Sequence, residues 1–326
     1  MTGPLATRVA KPDAAAIADA VRFLAGGGLV AFPTETVYGL GADATNGKAV
    51  ARLYAAKGRP AFNPLIAHVT DIAAARTLAR FDADATRLAG SFWPGPLTLV
   101  LPKAGDCPVA DLAMAGLDTI ALRVPAHDAA RKILSGFGRP VVAPSANRSG
   151  HVSPTTAEHV LADLGGRVDL IIDGGATAVG VESTIVACLG EPVLLRPGGL
   201  PRETIERALG HPLAAAVAGA DDAPRAPGML PSHYAPRTPL RLDAGQVEAG
   251  AALLAFGPKL AAGAGGALRV LNLSERGDLT EAAANLFSHL RALDAAGAKT
   301  IAVMPIPRHD LGEAINDRLA RAASGR

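Results

Sequence analysis

Cysteine is almost missing: Cys107 and Cys188 are the only two in 326 residues. Two thiols cannot build a disulfide framework or a four-cysteine zinc site. Neither has a basic neighbour in sequence to lower its pKa, so neither reads as a reactive thiol. Aromatic residues are only 4% of the chain, which argues against base stacking as its main way of binding a partner. Long apolar runs are also lacking. The longest, such as residues 251–256, stop far short of the roughly 18–20 residues of a membrane span. A net charge of only +2, with 49% hydrophobic residues, excludes a disordered chain. Arg8, Lys11, Asp13 and Asp19 precede any apolar stretch, so no secretory signal is expected and a reducing cytoplasm is the default location. The common nucleotide motifs are absent too. There is no G-x-x-x-x-G-K-[ST] loop, and Gly39-Leu40-Gly41 lacks the third glycine of a dinucleotide fingerprint. No histidine pair has zinc-ligand spacing, and no G-x-S-x-G elbow occurs. Any phosphate chemistry must use a different cradle.

What is present suits two domains, the usual solution for a chain of this length. Residues 13–24 repeat apolar side chains at helical spacing and stop at Gly26-Gly27-Gly28. Strand patterns follow at 29–32, 65–69, 97–101, 119–124, 140–143, 170–173, 181–186 and 193–196. Helical patterns at 49–56, 71–80, 84–92, 127–135, 156–164 and 201–209 fall among them. Composition then changes: Pro224, Pro227, Pro231, Pro236 and Pro239 crowd a short span, which is linker composition. Beyond it, strands at 252–256, 268–273 and 300–304 alternate with helices at 280–295 and 312–322. That alternation predicts a small parallel α/β domain. The expected boundaries are 1–212, a proline-rich linker over 213–239, and 240–326.

Polar clusters gather at the strand ends. Pro33-Thr34-Glu35-Thr36-Val37-Tyr38-Gly39-Leu40-Gly41 follows the strand at 29–32 with hydroxyls and glycine turns that can hold a small polar substrate. Lys57-Gly58-Arg59-Pro60, with Asn63-Pro64, fixes two cations in a stiff loop suited to phosphate. A solvated basic turn accounts for that stretch equally well on its own. Thr119 and Arg123 share one face of a strand, being four apart at period two. Arg123, inside Ile120-Ala121-Leu122-Arg123-Val124, is costly to bury without an anion beside it, whether a substrate or a structural carboxylate. Pro144-Ser145-Ala146-Asn147-Arg148-Ser149-Gly150 lies before a helix start and suits an anion. Gly180-Val181-Glu182-Ser183-Thr184 and Arg196-Pro197-Gly198-Gly199 flank the last two strands. His68 alone reads better as a satisfied core histidine than as a site residue. Ser232-His233-Tyr234-Ala235-Pro236 puts an imidazole and a phenol in the linker. That placement suits a lid over a cleft, and equally a joint between domains.

In order, FPTETVYGLGA from Phe32, KGRPAFNPL from Lys57, FWPGPLT from Phe92 and LDTIALRVPAH from Leu117 resemble the YrdC-like family. APSANRSG from Ala143, DGG from Asp173, GVESTIV from Gly180 and LLRPGG from Leu194 continue the series. APGMLPSHYAP from Ala226 is similar to the interdomain segment of the family's long, two-domain form. The resemblance implies a twisted mixed α/β sheet with flanking helices, followed by a smaller parallel, Rossmann-like α/β domain. It also implies a reaction in which L-threonine, bicarbonate and ATP give threonylcarbamoyl-adenylate and pyrophosphate. Separate transferase proteins would pass the threonylcarbamoyl group to an adenosine beside the tRNA anticodon, and a weak direct contact with tRNA stays open. Carried over by position, Thr34, His68, Arg123 and Ser183 would contact threonine. Lys57, Arg59, Thr119, Ser145, Asn147, Ser153, Arg196 and Tyr234 would contact ATP, with Lys57 and Arg59 neutralising phosphate charge in catalysis. Magnesium is expected to arrive with ATP, since no acidic cluster forms a dedicated metal site. Two rivals are an RNA-binding module of the same fold without adenylating activity, and a carbamoyl-handling domain like those of hydrogenase maturation proteins. The weak charge and few aromatics count against the first, and the cysteine count and length against the second.

Overall fold

The computed structural model describes residues 5–215 and 234–324. The first stretch carries strands β1 (Arg8–Ala10), β2 (Val30–Pro33), β3 (Tyr38–Asp43), β4 (Ile66–His68), β5 (Leu97–Pro102) and β6 (Thr119–Arg123). It continues with β7 (Val141–Val142), β8 (Leu170–Ile172), β9 (Thr184–Ala187), β10 (Val193–Arg196) and β11 (Ala214–Ala215). Its helices are α1 (Ala14–Ala25), α2 (Gly47–Lys57), α3 (Ile72–Arg76), α4 (Ala83–Phe92), α5 (Asp111–Met114), α6 (Asp128–Phe137), α7 (Ala157–Leu164) and α8 (Arg202–Leu209). The second stretch carries β12 (Leu240–Arg241), β13 (Ala252–Ala255), β14 (Val270–Asn272) and β15 (Ile301–Val303), with α9 (Leu279–Asp294) and α10 (Leu311–Ala323). Helix starts are fixed by short polar caps: Asp13, Asn46, Asp71, Asp82, Thr156 and Asp278 each accept from a first-turn N–H. None of these helices is long and apolar enough to cross a membrane.

β1 to β11 form one mixed sheet in the order β1-β8-β2-β3-β7-β4-β6-β5-β9-β10-β11. Its pleat sorts side chains by parity. Leu65, Ala67, Val69, Leu97, Leu99, Leu101, Ile120, Leu122, Val124 and Val186 enter the largest apolar cluster, under α2, α4 and α5. Their alternates Ile66, Val100, Ala121 and Ile185 form a thin patch on the opposite face. His68 and Arg123 share that second face and are paired directly across β4 and β6. The smaller sheet is parallel throughout, in the order β12-β15-β13-β14. Leu286, Phe287, Leu290, Ile315 and Leu319 of α9 and α10 share one buried cluster with Val37, Val152 and Val181 of the first domain. The second domain therefore docks beside the polar face of the large sheet.

Five elements escape the sequence patterns: β1, β3, α5 and the two-residue strands β11 and β12. Residues 38–43 are a central strand rather than a glycine turn, and Gly41 is required there because a Cβ would meet Phe32 Cε1 at 2.7 Å. β1 is a short, exposed edge strand of Arg8, Val9 and Ala10, too brief to show alternation. α5 is a single turn. The strand expected at 181–186 begins only at Thr184, because Gly180 holds a left-handed φ of 77° and the chain enters from a turn. The large sheet ends at Ala215 and the small one begins at Leu240. Pro224, Pro227, Pro231 and His233 of the expected linker lie outside the described residues.

Candidate active site

On its second face the large sheet places Ile66 and His68 from β4 beside Arg123 from β6. Loops bring Thr36, Arg59, Ser145, Glu182, Ser183, Arg196 and Tyr234 around them, enclosing a cavity of about 50 Å³. That is room for a few waters at its narrow part.

Buried cations dominate the lining. Arg123 Nη2 donates to Glu35 Oε1 at 2.6 Å and to Thr36 Oγ1 at 2.9 Å, while Nε donates to the Gly95 carbonyl at 3.3 Å. Its Nη1 makes no hydrogen bond among the described residues. Glu35 also accepts the Ala126 N–H at 3.0 Å. Burial works against the charge on Glu35, but the guanidinium of Arg123 prevails and holds its carboxyl below the ordinary value. Arg59 donates to the Asn63 and Pro64 carbonyls at 3.3 and 3.0 Å, and burial brings it down to about 10. Arg196 donates to the Ser183 carbonyl at 2.8 Å and to Ser183 Oγ at 3.3 Å, and burial lowers it as well. Arg59 also feels the charge of Arg196. Lys57 Nζ donates to the Ser145 and Asn147 carbonyls, both at 2.5 Å. Burial, then repulsion from Arg59, drops it well below its usual range. Cations held mainly by carbonyl dipoles in an apolar setting form a site that an anion would stabilise. His68 is different: burial, then Arg123, pushes it down to about 3. The imidazole is neutral at ordinary pH. Its Nδ1 lies 3.2 Å from the Ile66 carbonyl.

The residues singled out in sequence fall into three groups. His68, Arg123, Ser183, Arg59, Ser145, Arg196 and Tyr234 line the cavity itself. Thr34, Lys57, Asn147 and Ser153 stand one layer behind. Thr34 closes its own turn by donating to the Val37 carbonyl at 2.7 Å. Ser153 donates to Glu182 Oε1 at 2.5 Å. Asn147 donates to the Arg148 and His151 carbonyls, and its Oδ1 is buried without a partner among the described residues. Thr119 lies apart, half-buried at the far end of β6, about 13 Å along the strand from Arg123. Tyr234 has a left-handed φ of 65°, stacks on Phe287 at 5.6 Å and lies under the Arg318 guanidinium. Sequence reasoning missed Glu35 as the partner of Arg123, though it stands in the quoted FPTETVYGL stretch. It also missed Glu182 as a buried anchor. Arg318 carried no signal, because an arginine on an amphipathic helix reads as solvated.

A family model described as telomere recombination, Sua5/YciO/YrdC, matches residues 22–198. One described as the C-terminal domain of threonylcarbamoyl-AMP synthase matches 200–324. The chain is 44% identical over 323 residues to threonylcarbamoyl-AMP synthase of Pyrococcus abyssi, covering 94% of each. It is 42% identical to the Bacillus subtilis protein of that name, covering 95% of this chain and 93% of the relative. The crystal structure of P. abyssi Sua5 complexed with L-threonine superposes with a TM-score of 0.88 at 39% identity, covering 99% of this chain and 98% of that one.

Proposed function

The chain belongs to the two-domain threonylcarbamoyl-AMP synthase family, and from that premise we propose that its cavity converts L-threonine, bicarbonate and ATP into threonylcarbamoyl-AMP and pyrophosphate. The observation that carries the assignment is the pairing of His68 with Arg123 across β4 and β6, with Arg59 and Arg196 in the same cavity. Arg123 is suited to the threonine carboxylate through its remaining N–H donors. Ser183 and the neutral His68 offer polar contacts to the rest of the amino acid. Arg59 and Arg196 face the position of the nucleotide phosphates, with Lys57 supporting the Ser145–Asn147 loop beneath them.

Little covalent help from the protein is needed. The threonine amine attacks the carbon of bicarbonate, a C–N bond forms, and water leaves to give the carbamate. A carbamate oxygen then attacks the α-phosphorus, the bond to the β-phosphate oxygen breaks, and pyrophosphate departs. The cations neutralise charge as it builds on the leaving group, and closure excludes water from a labile carbamate. The two carboxylates nearest the cavity are engaged: Glu35 by Arg123 and Ala126, Glu182 by Ser153 and Arg318. Among the described residues no cluster of His, Cys, Asp and Glu has metal-site geometry. The acidic residues therefore do not fit a dedicated magnesium cage, and Mg2+ enters as part of the nucleotide substrate. The product suits a downstream transferase acting on tRNA in the cytoplasm. Tyr234 stands in the cavity wall and stacks on Phe287 of the second domain, so it joins that domain to the site. The assignment is tested by supplying ATP, threonine and labelled bicarbonate and separating a labelled adenylate. A labelled product that needs threonine is expected, and unlabelled adenylate without threonine overturns the assignment.

A further inference from the structure

The largest fully buried side chain among the described residues is an arginine outside the cavity lining: Arg318, 0% exposed, on α10 of the second domain. It crosses into the first domain. Nε donates to Glu182 Oε2 at 2.8 Å, and Nη1 donates to the Pro197 carbonyl at 3.0 Å and to Asp317 Oδ2 at 2.6 Å. Its guanidinium carbon lies 5.1 Å from the ring centroid of Tyr234. Every group it holds outside α10 bears on the cavity. Glu182 and Tyr234 line it, and Pro197 follows the lining residue Arg196. Glu182 is in turn tied to Ser153 through its other oxygen. The loop that carries it is wedged in place. A Cβ on Gly180 would sit 2.3 Å from the Ala283 carbonyl of α9, and one on Gly198 would sit 2.4 Å from the Glu182 carbonyl. The Gly199 N–H donates to that same carbonyl at 2.8 Å.

We propose that Arg318 is a positioning residue for the reaction: the second domain uses it to fix Glu182, and through Glu182 the adjacent Ser183 and the Tyr234 ring, in the geometry that binds substrate. The second domain is then part of the active site's supporting shell and not only an appendage. The proposal rests on the adenylation reading above. Supporting contacts of this kind act on the groups that touch substrate, so their loss is felt in binding more than in folding alone. A buried arginine fork that meets a carboxylate, a carbonyl and a ring together is not reproduced by lysine.

The test compares full-length Arg318→Met, Arg318→Lys and Arg202→Met. Arg202 makes the other kind of interdomain ion pair, to Glu313 at 2.6 Å, partly exposed and outside the cavity lining. Arg318→Met should raise the threonine KM about tenfold or more while kcat changes less than about threefold, and Arg318→Lys should fall between. Arg202→Met should lower thermal stability and leave the threonine KM at the wild-type value. A folded Arg318→Met protein with wild-type threonine KM overturns the proposal. So does an equal rise in Arg202→Met, which would mean that any weakening of domain docking suffices. If Arg318→Met does not fold, Arg318→Lys decides: a threonine KM raised several-fold supports positioning, and an unchanged one refutes it. Threonine binding by calorimetry is measured alongside. A wild-type chain that binds threonine but releases no threonine-dependent pyrophosphate would sink the adenylation reading, while the calorimetric effect of Arg318 still reports on positioning.

Discussion

Replacing Arg123 with methionine separates two roles that the cavity superimposes. The guanidinium sits 2.6 Å from Glu35 with both side chains largely buried. With charge centres near 4 Å and an effective dielectric constant near 20, their attraction is about 4 kcal/mol. Arg123→Met leaves the Glu35 carboxylate with backbone N–H partners alone and the cost of its burial, so stability should fall by about 3–5 kcal/mol. Glu35→Gln on top of it removes the stranded charge and should recover most of that loss, because deleting both partners of a buried pair is far cheaper than deleting one. Threonine affinity should behave differently. Losing the carboxylate's partner should cost about 2–5 kcal/mol, roughly 30- to several-thousand-fold in Kd, in the single and the double variant alike. Arg123→Lys should also lose most of the affinity, since a point charge does not supply the planar fork. Urea unfolding gives the first quantity and calorimetric titration with threonine the second. Unchanged threonine affinity in folded Arg123→Met refutes the carboxylate role. A double variant no more stable than the single refutes the pairing energetics.

Two further outcomes follow from burial. The unfolded chain protonates His68 near pH 6.5 while the folded one resists to about 3, so between those values unfolding takes up a proton. Stability contributed by His68 is thus lost as pH falls through that window, by up to about 1.4 kcal/mol per pH unit. His68→Gln should flatten the stability–pH curve there relative to wild type, and an identical curve contradicts the buried neutral imidazole. Tyr234→Ala removes a fully buried ring stacked on Phe287 and should cost about 3–5 kcal/mol. Thermal unfolding at the wild-type temperature would mean that the ring only caps the cavity and does not join the domains.

Much of this architecture was legible because the relevant signals are local. Strand patterns mark β4, β5 and β6, and the shared face of Thr119 and Arg123 is a property of the strand itself, whereas the pairing of His68 with Arg123 comes only from β4 lying beside β6. The two domains follow from a proline-rich change in composition. What stayed hidden depends on long-range contact. The central strand Tyr38–Asp43 looks like a turn because Gly39 and Gly41 are there to let Ala143 and Phe32 pass closely, a reason invisible without its neighbours. Glu35 could be seen as a carboxylate but not as the partner of an arginine 88 residues away. Thr119 shares a face with Arg123 as its spacing predicts, yet face alone does not bring it to the cavity. Arg318 is the extreme case, a charged helix residue buried only because another domain surrounds it.

The central claim is that this cavity joins threonine, bicarbonate and ATP in one adenylation. Pyrophosphate release measured with each substrate omitted in turn tests it most directly. Release should occur only when all three are present, and replacing threonine with serine should sharply reduce it. Equal release with serine, or with no amino acid at all, would contradict the assignment.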